Sequence, residues 1–153
     1  MVGKQPKRKA RPGVDEYGRT ALHYACSDGN PVLCAELLAA GALPNSRDDN
    51  GWAPLHFAAQ AQSASVTSLL LGAGAETEVC DVVGNTPLWR ATMTSRGQGE
   101  VIALLRAAGA NPYAKNDAGV SPISVARSIA NFPVAQFFSD LPADEQSQKL
   151  SYP

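Results

Sequence analysis

The phrase TALHYA at residues 20–25 returns thirty-three residues later as APLHFA at 53–58. It comes again as TPLWRA at 86–91, and more weakly as SPISVA at 121–126. A glycine ahead of each phrase keeps the same step: Gly18, Gly51, Gly84 and Gly119 are separated by 33, 33 and 35 residues. A second marker, Gly followed by Ala at Gly41, Gly74 and Gly109, recurs at 33 and 35. Two independent markers that hold one period, and absorb the same two-residue insertion, leave few folds open. A period of this length means stacked copies of one supersecondary unit.

Each copy reads as a physical unit. A glycine-centred turn (DEYGR, DDNGW, DVVGN, NDAGV) reverses the chain, with Gly free to take positive φ. A short helix follows. Thr86-Pro87 and Ser121-Pro122 put a capping oxygen ahead of a proline whose missing N–H is harmless at the first helical position. Its inner face is small, with Ala25 and Cys26, then Ala58 and Ala59, so neighbouring helices can approach closely. A second helix carries an aliphatic stripe: Leu33, Leu37, Leu38 in the first copy, Val66, Leu69, Leu70, Leu71 in the next, and Val101, Ile102, Leu104, Leu105 in the third. Gly-Ala then ends it. One such pair cannot bury both faces, whereas stacked pairs share a core.

The phrases G-x-T-x-L-H-x-A and L-L-x-x-G-A resemble the ankyrin repeat, and the resemblance covers residues 15 to about 140. It implies an all-α repeat solenoid of four ankyrin repeats, helix–turn–helix pairs with projecting β-turn loops, at about 15–47, 48–80, 81–115 and 116–141. Residues 1–14 are expected to be a basic disordered tail, and 142–153 a C-terminal tail. The copies depart from the pattern in places. Ala53 replaces the capping Thr, Gln62 stands where the inter-helix glycine (Gly29 in the first copy) would be, Trp89 and Ser124 replace the His, and Glu36 replaces a Leu. The last copy lacks Gly-Ala and ends in FPVAQFFSDLP, which reads as a cap on the stack.

Composition narrows the function classes. Five basic residues and no acid fall within the first eleven positions, so from residue 12 onward the chain carries eight bases and fourteen acids, an acidic body behind a basic start. That start is short, holds proline and lacks aromatics, so nucleic acid is an unfavoured partner. No apolar run approaches the ~20 residues of a membrane span, and no secretory signal is evident. Cys26, Cys34 and Cys80 lack metal-ligand spacing and read as small hydrophobes in a reducing, cytoplasmic setting. No Cys/His, Ser/His or phosphate-loop motif is present, and RGQG at 96–99 follows no strand. The expectation is therefore no enzyme activity, no cofactor and no metal.

The resemblance makes His23 and His56, the only histidines, structural residues that bond neighbouring turns, with Gly18, Gly51, Gly84 and Gly119 shaping those turns. It assigns recognition to the turn tips and the exposed face of the first helices. At the tips stand Tyr17, Arg19, Asp49, Trp52 and Asn85. Along the concave helix face stand Tyr24, Asp28, Phe57, Gln60, Arg90 and Met93, and the longer third loop, MTSRGQGE, reads either as a tolerated insertion or as an extra contact finger that uses Arg96. Trp52, placed just after a turn glycine, is expected to be exposed and to anchor a partner. The expected role is a stoichiometric protein inhibitor, resembling the small bacterial ankyrin immunity proteins that block a toxin, with an acidic body suited to a basic patch on the partner. The alternative is an adaptor or chaperone subunit that positions an enzyme without inhibiting it. A capped stack is expected to be monomeric, although Trp52 or the Phe137-Phe138 pair could support a dimer.

Overall fold

The structure is a computed structural model and describes residues 11–142. Of the expected tails at 1–14 and 142–153, residues 1–10 and 143–153 lie outside the described residues. Seven α-helices follow in order: α1 (Ala21–Ser27), α2 (Pro31–Ala39), α3 (Pro54–Gln60), α4 (Ala64–Gly72), α5 (Pro87–Thr94), α6 (Glu100–Ala107) and α7 (Pro122–Ser128). A 3₁₀ segment, Val134–Phe138, closes the series. Four helices begin with proline (Pro31, Pro54, Pro87, Pro122). Side-chain oxygens of Asn30, Thr86 and Ser121 accept first-turn amides of Leu33, Trp89 and Ser124 at 3.1, 3.2 and 3.3 Å.

The helices form two rows. The inner row α1, α3, α5, α7 packs side by side, and the outer row α2, α4, α6 lies behind it. In the fourth copy the 3₁₀ segment packs on α7 where an outer helix would stand, with Val134 and Phe138 buried. This is the cap that FPVAQFFSDLP foretold. The core follows the period: Leu22, Leu55, Leu88 and Ile123 are all buried, and the small residues Ala25, Cys26, Ala58, Ala59 and Ala91 let inner helices close on one another. The aliphatic stripe is less uniform than expected. Leu33 is exposed and Leu37 and Leu38 are only half-buried, because α2 has an outer neighbour on one side alone. Cys34 is its single buried residue.

The turns stack as a second ladder. In each, one Asx oxygen accepts two backbone amides. Asp15 Oδ1 takes those of Tyr17 and Arg19, Asp48 Oδ1 those of Asn50 and Trp52, Asp81 Oδ1 those of Val83 and Asn85, and Asn116 Oδ1 those of Ala118 and Val120, all at 2.8–3.0 Å. Consecutive turns then bond directly: the amides of Asp49, Val82 and Asp117 donate to the carbonyls of Tyr17, Asn50 and Val83 at 2.9, 3.0 and 3.0 Å. Gly84 shows what this requires. Its φ is +83°, and a β-carbon there would stand 3.0 Å from the Asp117 amide nitrogen. Gly119 has φ +76° but no following turn, so nothing lies within 4 Å.

The two histidines tie helices to turns. His23 Nδ1 accepts the Thr20 amide at 2.9 Å, and its Nε2–H faces the carbonyls of Ser46 and Trp52 at 2.9 and 3.0 Å. His56 Nδ1 accepts the Ala53 amide at 3.1 Å and its Nε2–H donates to the Asn85 carbonyl at 2.8 Å. Both rings are fully buried. The acceptor role of each Nδ1 requires the neutral ring. Trp89 in the third copy cannot repeat this bond, and its indole N–H is buried without a partner among the described residues. There Asn116 Nδ2 donates to Asn85 Oδ1 at 2.9 Å and links the last two turns instead.

Two stability measurements follow from this core. Leu70→Ala removes a fully buried side chain and is expected to cost about 2–5 kcal/mol in urea denaturation. Leu104→Ala, half-buried, should cost distinctly less, about 1 kcal/mol. Equal losses would mean that the outer row is buried more evenly than described. Burial also depresses both histidine pKa values below the ordinary 6.5, outweighing their bonds to carbonyls. A depressed folded pKa means that the unfolded chain takes up protons first as pH falls. Stability is therefore expected to decline from about pH 7 to about pH 5, before the carboxylates titrate. A urea midpoint that stays flat over that range would show the imidazoles to be protonated in the fold.

Candidate partner-binding surface

The residues expected at the recognition surface converge on the inner helices and turns, but many of them engage one another. Arg19 lies over three rings, 5.2 Å from the centroid of Tyr17, 5.9 Å from Tyr24 and 5.1 Å from Phe57. Phe57 meets Trp52 at 4.8 Å, and Arg90 covers Trp52 at 4.3 Å and Trp89 at 5.4 Å. The result is a cation–aromatic ladder running across the first three copies. Its two cations are fixed from below: Arg19 Nε donates to Asp48 Oδ2 at 3.2 Å and Arg90 Nη2 to Asp81 Oδ2 at 3.1 Å. Each aspartate thus shapes its turn with one oxygen and holds an arginine with the other. Burial pushes the Asp81 carboxyl up, but the Asn85 amide, the Arg90 guanidinium and the Val83 amide together hold it below the usual carboxylate range.

Several expectations need correction. Trp52 is half-buried rather than exposed, lying against Phe57 and His56 and under Arg90, because the next repeat's inner helix brings Arg90 over its free face. Phe57 is buried (8% exposed), closed in by Trp52 on one side and Arg19 on the other. Asn85 is buried (5%), its carbonyl bonded to His56 of α3 and its side chain to Asn116 of the next turn. Asp49 is half-buried and bridged by both oxygens to Arg11 at 2.8 and 3.0 Å. Arg19 and Arg90 are half-buried and paired.

What remains available is narrower. Tyr17 (52%), Tyr24 (43%) and Met93 (54%) are exposed, as are Asp28, Gln60 and Arg96. Val82 and Val83 add an exposed apolar tip on the third turn. The Tyr24 hydroxyl donates to Asp15, which holds that carboxyl below its usual range and fixes the ring. The residues overlooked in the sequence are Asp15, Asp48, Asp81 and Asn116, whose oxygens organise the turns. Their signal was present: an Asx three residues ahead of each turn glycine, at the same 33, 33 and 35 spacing.

Arg90→Ala is expected to lose about 1–3 kcal/mol of stability, because the buried Asp81 carboxylate is left without its cation and Trp52 without its cover. Arg90→Lys restores charge but not the planar stack and should recover only part. Urea denaturation of both variants checks this, and a wild-type midpoint for Arg90→Ala would mean the ladder adds nothing.

Among the described residues no helix is long and apolar enough to cross a membrane. The profile for ankyrin repeats (3 copies) matches residues 28–116. The chain is similar to the tyrosine-protein kinase HTK16 of Hydra vulgaris, 31% identical over 136 residues, covering 88% of this chain and 18% of that protein. It is 36% identical over 108 residues to a putative ankyrin repeat-containing protein of Treponema pallidum, covering 70% of this chain and 36% of that one. It is 43% identical over 61 residues to the RelA-associated inhibitor of Mus musculus, covering 40% of this chain and 7% of that protein. The chain thus spans only a fraction of the length of these relatives. Ankyrin repeats are protein–protein interaction modules, and with stacked helix pairs, hydrogen-bonded turns and a profile match over more than half its length, this chain belongs to the ankyrin-repeat family.

Proposed function

We propose that this chain is a stoichiometric protein inhibitor that occupies its partner's surface with the inner-helix face and turn tips, neutralising a toxin or an enzyme as a cytoplasmic monomer. The observation that carries the reading is the set of exposed, unbonded or singly bonded apolar side chains on one rigid edge: Tyr17, Tyr24, Val82, Val83 and Met93. Aromatic anchors on a preorganised frame bind with little loss of conformational freedom. The ladder beneath them supplies that frame, since Arg19 and Arg90 are locked to Asp48 and Asp81. Glu16 and Asp117, at the tips of the first and fourth turns, have no ion pair among the described residues and favour a basic patch on the partner. The likeness to a protein named as an inhibitor supports the inhibitory form of binding.

The test uses immobilised wild type beside the Tyr24→Ala/Met93→Ala double variant, followed by an activity assay of whatever protein the wild type retains. The retained protein is expected to be lost from the double variant, and its activity to fall in proportion to added wild type until the two are equimolar. Full activity in the bound state would overturn inhibition and favour a positioning subunit. Equal retention by both proteins would move the binding site off this edge.

A further inference from the structure

The two-residue insertion lies between α5 and α6, and the structure gives it a wall. A cleft of about 420 Å³ opens between this loop and the end of α3, at the opposite end of the inner helices from the turn tips. Gln60, Gln62, Met93, Arg96 and Gln98 line it, and no carboxylate does. Among the described residues only two non-glycines take positive φ, Gln62 at 55° and Arg96 at 49°, and both are in this cleft. For Gln62 the conformation has a structural return. Its amide Nε2 reaches the carbonyls of Ala59 and Ala91 at 3.2 and 2.8 Å and Thr94 Oγ1 at 3.0 Å, so it joins the second copy to the third. For Arg96 there is none: its side chain is exposed and has no hydrogen-bond or ion-pair partner among the described residues.

The loop that carries Arg96 is nonetheless held firmly. Ser95 is buried, its Oγ accepts the Gly97 amide at 3.1 Å, and its carbonyl accepts the Gln98 amide at 2.8 Å. The C-terminal cap braces the far side. Gly97 lies against Pro133, and a β-carbon at Gly99 would stand 2.3 Å from Phe137 Cε1. By contrast, Arg11, Arg19, Arg90 and Arg106 are each committed to an aspartate of the chain. We propose that the cleft between the α5–α6 loop and the end of α3 receives an acidic side chain of the protein partner, with Arg96 as its cation and the amides of Gln60 and Gln98 beside it. One guanidinium flanked by neutral amides matches one carboxylate charge, and a phosphate dianion would call for more cations. Exposed Met93 at the rim suits an apolar neighbour of that acid. This inference rests on the protein-binding reading of the same edge.

A phage-displayed library of random peptides is selected on wild type, and the enriched peptides are measured by fluorescence polarisation against wild type, Arg96→Gln, Arg96→Lys and Tyr24→Ala. Enriched peptides are expected to carry Asp or Glu at a fixed position. Arg96→Gln should weaken them about tenfold, Arg96→Lys less, with melting temperature unchanged because the Arg96 side chain bonds nothing among the described residues. Replacing the peptide's acid by its amide should weaken binding to wild type but not to Arg96→Gln. If that replacement weakens both proteins equally, or if no acid is enriched, the proposal fails. Peptides that depend on Tyr24 but ignore Arg96 would leave the binding edge intact and sink only the acid-receiving cleft. Absence of any enriched peptide, or peptides indifferent to both residues, would overturn the edge and the cleft together.

Discussion

The architecture hangs from an oxygen atom repeated four times. Oδ1 of Asp15, Asp48, Asp81 and Asn116 each gathers two backbone amides of its own turn, and a turn closed in this way presents its backbone to the next. Hydrogen bonds to ionised groups such as the three aspartates are worth about 1.5–3 kcal/mol, and those to the neutral Asn116 amide about 0.5–1.5 kcal/mol. Here they do more than stabilise: they set the pitch at which successive helix pairs meet. No single pair encloses its own apolar surface, so that pitch decides whether Leu22, Leu55, Leu88 and Ile123 form one core or four exposed patches.

The second oxygen of Asp48 and Asp81 carries the same order outward. By gripping Arg19 and Arg90 it aligns cations between aromatic rings, and side chains that would otherwise be separate surface groups become one laminated edge. The edge is rigid where it is layered and available where the layers end, at Tyr17, Tyr24, Val82, Val83 and Met93. The fourth copy shows the limit of the scheme. With Asn116 in place of an aspartate and Ser124 in place of the histidine, it holds by a Ser121–Ser124 capping box and by the 3₁₀ cap instead.

Local rules carried most of the fold into view. The helix starts at Pro87 and Pro122, the small inner faces, the turn glycines and the C-terminal cap are each legible because a few adjacent residues determine them. The outer stripe was legible only in part. Leu37 and Leu70 hold the same place in successive copies, but α4 lies between two outer neighbours and α2 has one, so Leu70 is buried and Leu37 only half-buried. Position in the stack, which no local pattern encodes, made the difference. Asp49 likewise reads as a turn-tip charge until Arg11, thirty-eight residues away, is brought against it.

The sequence by itself determined the repeat, its period, its element types and the family, because backbone conformation and amphipathic spacing are properties of short segments. Tertiary structure alone decided which recognition candidates are free. Trp52 and Phe57 carry the signature of partner anchors, but stacking places Arg90 and Arg19 over them and turns them inward. Arg96 looked like one more loop cation. Only the packing of its loop between α3 and the C-terminal cap shows it to be held in place with its charge unmet. Burial and pairing are long-range quantities, set by what the neighbouring repeat delivers rather than by the residue itself.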